Sequence, residues 1–298
     1  MSLQAIYDVA APAKLNLFLH VVGRRTDGYH LLQSAFVLID WCDTLHVERR
    51  ADGAIARHDL GAALPDDDLC LRAARALQRA SGTPLGADIS IDKQVPWGAG
   101  LGGGSSDAAS TLLALNRLWG VDWPLARLMP LGLSIGADVP FFLGGHNAWV
   151  EGIGEQLTPL ELPPRRYAVV KPSASLPTQA IFTSPHLCRN TEAVILSGFL
   201  AGTGIEAISS GFGRNDLQNV AEAECSEVAQ AARLLEARFG NSRMTGSGSA
   251  VFARVDARVD GVSGAAHLPE AILPELPAGW VGRLCRSLAR HPLAGWAG

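Results

Sequence analysis

Residues 98–106 read G-A-G-L-G-G-G-S-S, five glycines in nine positions of a chain that has 32 glycines among 298 residues. Glycine at that density lets the backbone bring several N–H groups against one ligand. Just beyond it Ala108, Leu112, Leu115 and Trp119 repeat at the spacing of one helical stripe. A glycine turn that feeds a helix offers unpaired amides together with the positive end of the helix dipole, and this combination binds phosphate. Ser105 and Ser106 could cap that helix, or turn their hydroxyls toward phosphate oxygens or a magnesium ion. The stretch is not a Walker A loop, because no lysine closes a G-x-x-x-x-G-K-[ST] pattern. Nor is it a Rossmann fingerprint, because serines stand at the setting of the third glycine and no suitable acidic residue follows a second strand.

Positioning such a loop needs a strand before it and a helix after it. Residues 87–91 read as that strand, and residues 69–80, preceded by Asp66 to Asp68, as an earlier amphipathic helix with Arg72, Arg75 and Arg79 on a solvated face. Near the N-terminus, residues 15–22 alternate with the period of a half-buried strand, which predicts one shared face for Lys14, Asn16, Phe18 and His20. The polar turn G-R-R-T-D-G-Y-H over 23–30 and the apolar run 34–39 complete a hairpin-like pair. Past Pro163 and Pro164 the texture changes, which places a domain boundary near residue 160. The second part reads as a strand over 167–171, a helix-rich stretch over 215–239 and a glycine turn, Thr245 to Ser249, feeding a strand over 250–255. A helix near 268–276 and a strand near 280–288 close the chain. Asn215 and Asp216 stand where an N-cap would.

Composition removes several classes of function. With 48% hydrophobic and 18% charged residues the chain folds, and with a net charge of −4 it lacks the basic footprint of a nucleic-acid binder. Cys42, Cys70, Cys188, Cys225 and Cys285 are scattered and odd in number, which argues against a disulfide framework or a structural zinc site. No apolar run reaches the ~18 residues of a membrane span, and Asp8 and Lys14 interrupt any leader-like stretch, so a cytoplasmic protein without membrane partners is expected.

Three segments taken together carry a resemblance: P-A-K-L-N over 12–16, P-W-G-A-G-L-G-G-G-S-S-D over 96–107 and R-M-T-G-S-G-S-A-V-F over 243–252. In this order and spacing they are similar to the three motifs of the GHMP kinase superfamily. The stretches R-T-D-G-Y-H-L-L-Q-S over 25–34, G-A-D-V-P-F-F over 136–142 and R-N-D-L over 214–217 resemble its branch acting on a cytidine diphosphate conjugate of methylerythritol. The resemblance implies an α+β fold in two domains, a nucleotide-binding domain over 1–160 and a ferredoxin-like, substrate-binding domain over 161–298, with the active site in the cleft between them. It implies ATP, with magnesium as its partner, its phosphates lying over Pro96, Gly98, Gly100, Leu101, Gly102, Gly103, Gly104, Ser105 and Ser106.

On the same ground Lys14 and Asp138 are expected at the acceptor hydroxyl. A carboxylate is a weak base for an alcohol, so Asp138 would orient the hydroxyl and collect its proton late, while Lys14 compensates charge. Asn16 would meet the polyol, Tyr29 and Phe182 would stack on the base, His30 would read its edge, Lys93 would pair with substrate phosphates and Thr245 would stand near the transferred group. No residue is assigned as a direct magnesium ligand. Trp97, where the family more often has a smaller residue, could cover the adenine side or simply pack. Two other readings stay open at this level: a kinase of the same superfamily acting on mevalonate, homoserine or a sugar, and a non-catalytic ligand sensor that kept the fold.

Overall fold

The strands at the N-terminus extend well past the alternating segments seen in the sequence. In the computed structural model, which describes residues 3–255, 273 and 275–297, β1 (Ala5–Arg24) and β2 (His30–Arg50) run antiparallel from Ala5 opposite Glu48 to Arg24 opposite His30. Four irregularities interrupt the register, one of them between Asn16 and Leu19. A bulge changes which side chains share a face, so the single face expected for residues 14–20 does not hold. Lys14, Asn16 and Leu19 line a common cleft, whereas Phe18 is buried with Leu15 and Leu17, its ring 4.8 Å from that of His20.

The βαβ unit that follows has β3 (Ile55–Asp59) parallel to β4 (Gly86–Asp92), with α1 (Leu69–Ser81) between them; β4 also pairs with β2. The Asp68 carboxylate accepts the Leu71 amide at 3.0 Å to start α1, Gly82 ends it in the left-handed region, and Arg72, Arg75 and Arg79 are exposed as expected. α2 (Gly103–Leu118) is buried along most of its length between α1 and the sheet. With α3 (Leu125–Ile135) and α4 (Val139–Gly144) it closes a first core around Leu38, Ile89, Leu112 and Phe141. The hairpin of β5 (Ala148–Glu151) and β6 (Gln156–Pro159) adds to β2 beside Ser34, Ala35 and Phe36.

The second part begins with β7 (Arg166–Lys171) and the short helices α5 (Thr178–Thr183), α6 (Leu196–Ala201) and α7 (Gly204–Ser209). It continues through α8 (Gln218–Glu224), α9 (Ser226–Phe239), β8 (Arg243–Met244), β9 (Val251–Arg254) and β10 (Val281–Leu288). The strands lie in the order β10-β7-β9-β8, all antiparallel, which is the ferredoxin-like arrangement. The alternation of β7 sends Tyr167 and Val169 into a central core shared with β1 and β2, and Ala168 and Val170 into a third core under α8 and α9. The helix expected near 268–276 falls largely outside the described residues.

The end of β10 reaches β2, Ser287 opposite Ile39, so the sheet is continuous from β3 to β8. Beyond it the tail returns to the first core, where Leu293 is buried and the Arg117 guanidinium lies 4.5 Å over the Trp296 ring. β1 feeds all three cores in turn: Val9 and Ala11 the first, Ala13 to Phe18 the central one, Leu19 and Val21 the third. Among the described residues no helix is long and apolar enough to cross a membrane.

Candidate active site

Gly102, in the left-handed region at φ 71°, is the N-cap of α2, and no side chain caps the helix. Ser105 and Ser106 therefore lie inside the first turn and do not serve as its cap; the Ser106 amide already bonds to Gly102 O at 2.9 Å. Ser105 lines the cleft, and the buried Ser106 hydroxyl has no partner among the described residues. The Lys14 amide donates to Leu101 O at 2.9 Å, which fastens the loop to β1.

A second glycine turn stands directly behind the first. The Ala250 amide donates to Ala99 O at 3.1 Å, and the Thr245 hydroxyl accepts the Asn16 amide at 2.9 Å. Asn215 holds this second turn from below, donating at 2.8 Å to both Met244 O and Gly246 O, while its Oδ1 accepts the Leu217 amide. The expected N-cap duty thus falls elsewhere, since Leu217 is the N-cap of α8. Asn215→Ala leaves two buried carbonyls without donors, each worth ~1–3 kcal/mol. The variant is expected to unfold about 2–3 kcal/mol more easily in a chemical denaturation series.

Lys14 is 3% exposed, and its Nζ lies 2.5 Å from Asn16 Oδ1, 3.6 Å from Asp138 Oδ2 and 4.5 Å from the centroid of the Phe36 ring. Burial lowers its pKa, and the Asp138 carboxylate opposes that shift. Asp138 sits at the N-cap of α4, ahead of Pro140 in the first turn, so the helix start sets its position although its side chain caps nothing. An ammonium has three donors, and one is spent on Asn16 Oδ1, while Asp138 stands at ion-pair distance. Donor capacity remains for a ligand.

The cleft, about 920 Å³, runs from Gly98, Gly100, Gly102 and Ser105 past Lys14, Asn16 and Asp138 to Tyr29, His30 and Phe182. Tyr29 is 60% exposed at the tip of the β1–β2 turn, and the His30 and Phe182 rings lie 5.1 Å apart at 35°. Arg24, Thr178 and Ser247 also line the cleft. Ser247 belongs to the small-residue turn over 245–248 expected to line the site, whereas sequence reading passed over Arg24 and Thr178; the signal for Arg24 is its place in the same polar turn as Tyr29 and His30.

Lys93 lies apart from this cleft. It is buried between Asp43, which it contacts closely, and Asp107 at 2.5 Å. Burial disfavours its charge, and Asp107 and Asp43 more than restore it, so its pKa is raised. It borders a smaller hollow of about 200 Å³ with Leu69, Pro96, Trp97 and the outer side of the loop. Trp97 is 69% exposed there, which is not how a packing residue sits. Among the described residues no three His, Cys, Asp or Glu side chains could together hold a metal ion.

Comparison with known proteins gives the family. The family model described as GHMP kinases N terminal domain matches residues 68–146, and that described as GHMP kinases C terminal matches residues 200–267. The chain belongs to the GHMP kinase family. It is 67% identical over 301 residues, spanning all of both chains, to 4-diphosphocytidyl-2-C-methyl-D-erythritol kinase of Methylibium petroleiphilum. To the protein of the same name from Albidiferax ferrireducens it is 57% identical, covering 99% of this chain and 96% of the relative. A crystal structure of 4-(cytidine 5'-diphospho)-2C-methyl-D-erythritol kinase, 35% identical, superposes with a TM-score of 0.71 over 85% of this chain and 90% of that one. Homoserine and mevalonate kinases share the fold at 12–15% identity.

Proposed function

We propose that this GHMP kinase transfers the γ-phosphoryl group of ATP to the 2-hydroxyl of 4-diphosphocytidyl-2-C-methyl-D-erythritol, giving the 2-phosphate and ADP, a step of non-mevalonate isoprenoid precursor biosynthesis. One observation carries the reading: a single cleft joins a glycine phosphate loop, a lysine–aspartate couple and the side chains of Tyr29, His30 and Phe182. The full-length likeness to relatives of that name supports the choice of acceptor over mevalonate, homoserine or a sugar. The division into a nucleotide domain over 1–160 and a substrate domain over 161–298, and a cytoplasmic place, belong to the same proposal.

Phosphoryl transfer asks the protein for position and charge compensation more than for covalent chemistry. ATP lies with its phosphates on the amides between Gly98 and Ser106, and Pro96 and Leu101 shape that loop. Magnesium, carried in by the nucleotide, supplies charge neutralisation on the phosphates. The residues present fit such an ion, since Ser105 and Asp138 offer oxygens to the cleft and the buried Ser106 hydroxyl is unpartnered.

The acceptor oxygen attacks the γ-phosphorus, ADP departs and the hydroxyl proton passes to Asp138. Lys14, held by the hydrogen bond to Asn16 and the ion pair with Asp138, turns a free N–H to the transferring group, and Asn16 and Thr245 shape the floor. Tyr29 and Phe182 hold the cytosine by stacking, worth ~1–3 kcal/mol per base, and His30 reads its edge. Lys93, already neutralised by two carboxylates, is a brace beneath the loop in this reading, and Arg24 is the cation nearer the substrate's diphosphate.

The test is a coupled ADP-release assay with the cytidylyl substrate beside mevalonate, homoserine and galactose. Turnover is expected in the first lane alone. Turnover with another alcohol instead would replace the acceptor, and silence in every lane would favour the sensor.

A further inference from the structure

We propose that Arg189 is a positioning residue for the base subsite: by donating to His30 Nε2 it holds the imidazole as the Nδ1–H tautomer, and so makes the subsite prefer cytosine to uracil. The inference rests on the activity proposed above and goes on to say what sets its nucleobase selectivity.

Arg189 Nε donates to His30 Nε2 at 3.0 Å. The same guanidinium donates to Phe182 O at 3.0 Å, to Ser184 O at 2.7 Å and to Leu187 O at 3.0 Å. One planar group thus ties the carbonyl end of α5, which carries the aromatic wall, to the histidine that stands against that wall. Lysine could keep only part of this tie, because its donors radiate from one point and do not form a fork.

Arginine has no acceptor and stays protonated, so the ring nitrogen it meets must be an acceptor. In a neutral imidazole the proton then sits on the other nitrogen, Nδ1. Burial, then the charges of Arg189 and Arg24, lower the His30 pKa, which keeps the ring neutral. Nδ1 has no partner among the described residues, and His30 lines the cleft beside Tyr29 and Phe182.

A ring N–H at this place is a fixed donor. The N3 atom of cytosine accepts a hydrogen bond, whereas N3 of uracil carries a hydrogen of its own, so the two donors would oppose each other. Stacking on Tyr29 and Phe182 holds both bases alike. Discrimination therefore lies with the histidine tautomer, and the tautomer with Arg189.

The experiment compares the unaltered protein with Arg189→Met and Arg189→Lys. In Arg189→Met the KM for the cytidylyl substrate is expected to rise about tenfold, the scale of one hydrogen bond made or lost, with the loss falling on KM rather than on kcat. The preference for CDP over UDP, measured as binding without turnover, should shrink by a similar factor. Arg189→Lys, which still donates to Nε2, should recover part of it. Long-range proton–nitrogen spectra of the unaltered protein should show His30 with its proton on Nδ1.

An unchanged CDP to UDP ratio in a folded Arg189→Met protein would overturn the proposal, as would an Nε2–H tautomer in the unaltered protein, a reading that needs no variant to fold. Failure of the activity itself looks different: no ADP release with the cytidylyl substrate, whatever the tautomer and the base preference.

Discussion

Asp138→Asn is expected to lower kcat by about a thousandfold, within the ~10²–10⁴ range of a positioned acid or base, while the KM for ATP changes little. Asparagine keeps the shape of the side chain at the start of α4 and removes both the proton acceptor and the charge 3.6 Å from Lys14. The nucleotide loop is untouched, since it is fastened through Leu101 to β1 and through Ala99 to Ala250. The pH profile gives a second readout. Lys14 acts as an ammonium, so activity is lost as pH rises through its pKa, which burial already lowers and Asp138 raises. Without the carboxylate, burial acts unopposed and the pKa falls further. The alkaline limb of the Asp138→Asn profile should therefore lie at lower pH than that of the unaltered enzyme, measured as kcat against pH. An unmoved limb would mean that the two groups do not act as a couple.

Gly100→Ala is the other substitution with a large expected effect. Gly100 has a φ of 74°, and a Cβ there would lie 2.2 Å from the backbone oxygen of Thr245 and 3.2 Å from the Gly248 amide nitrogen. The atoms in the way are main chain, so no rotamer change relieves them. Gly246 mirrors the arrangement, its own Cβ position 2.9 Å from Gly100 O. The two turns are packed back to back and must move together. Left-handed backbone costs a side chain about 1–2 kcal/mol, and the clash adds to it by prising one turn from the other. The KM for ATP should rise at least about tenfold, equivalent to about 1.4 kcal/mol, with a lower thermal midpoint. Gly240→Ala, also at positive φ but with nothing near its Cβ, is the control for backbone strain alone.

The parts of the site that could be read from the sequence are those whose chemistry is local. Five glycines in nine residues announce an anion loop whatever lies around them, and α1 shows itself through Asp68 and a regular apolar stripe. Lys14 and Asp138 came from their motifs, and the fold brings them together. What could not be read depends on partners far along the chain. Lys93 looked available to a phosphate because Asp43, 50 residues earlier, and Asp107, 14 later, reveal their claim on it only once the strands and α2 are assembled. Asn215 looked like a helix cap, but its amide reaches across 29 and 31 residues to the second glycine turn. The bulge between Asn16 and Leu19 leaves no mark in the apolar pattern, since Phe18 and Leu19 suit either face. Arg189 meets His30 over 159 residues and belongs to no motif.

β1 threads all three cores without a break, and β2 accompanies it from end to end. A jaw whose two arms share one ladder has no linker to serve as an axle. Swinging them apart would have to bend that ladder, and its four register irregularities are the places where it is least regular.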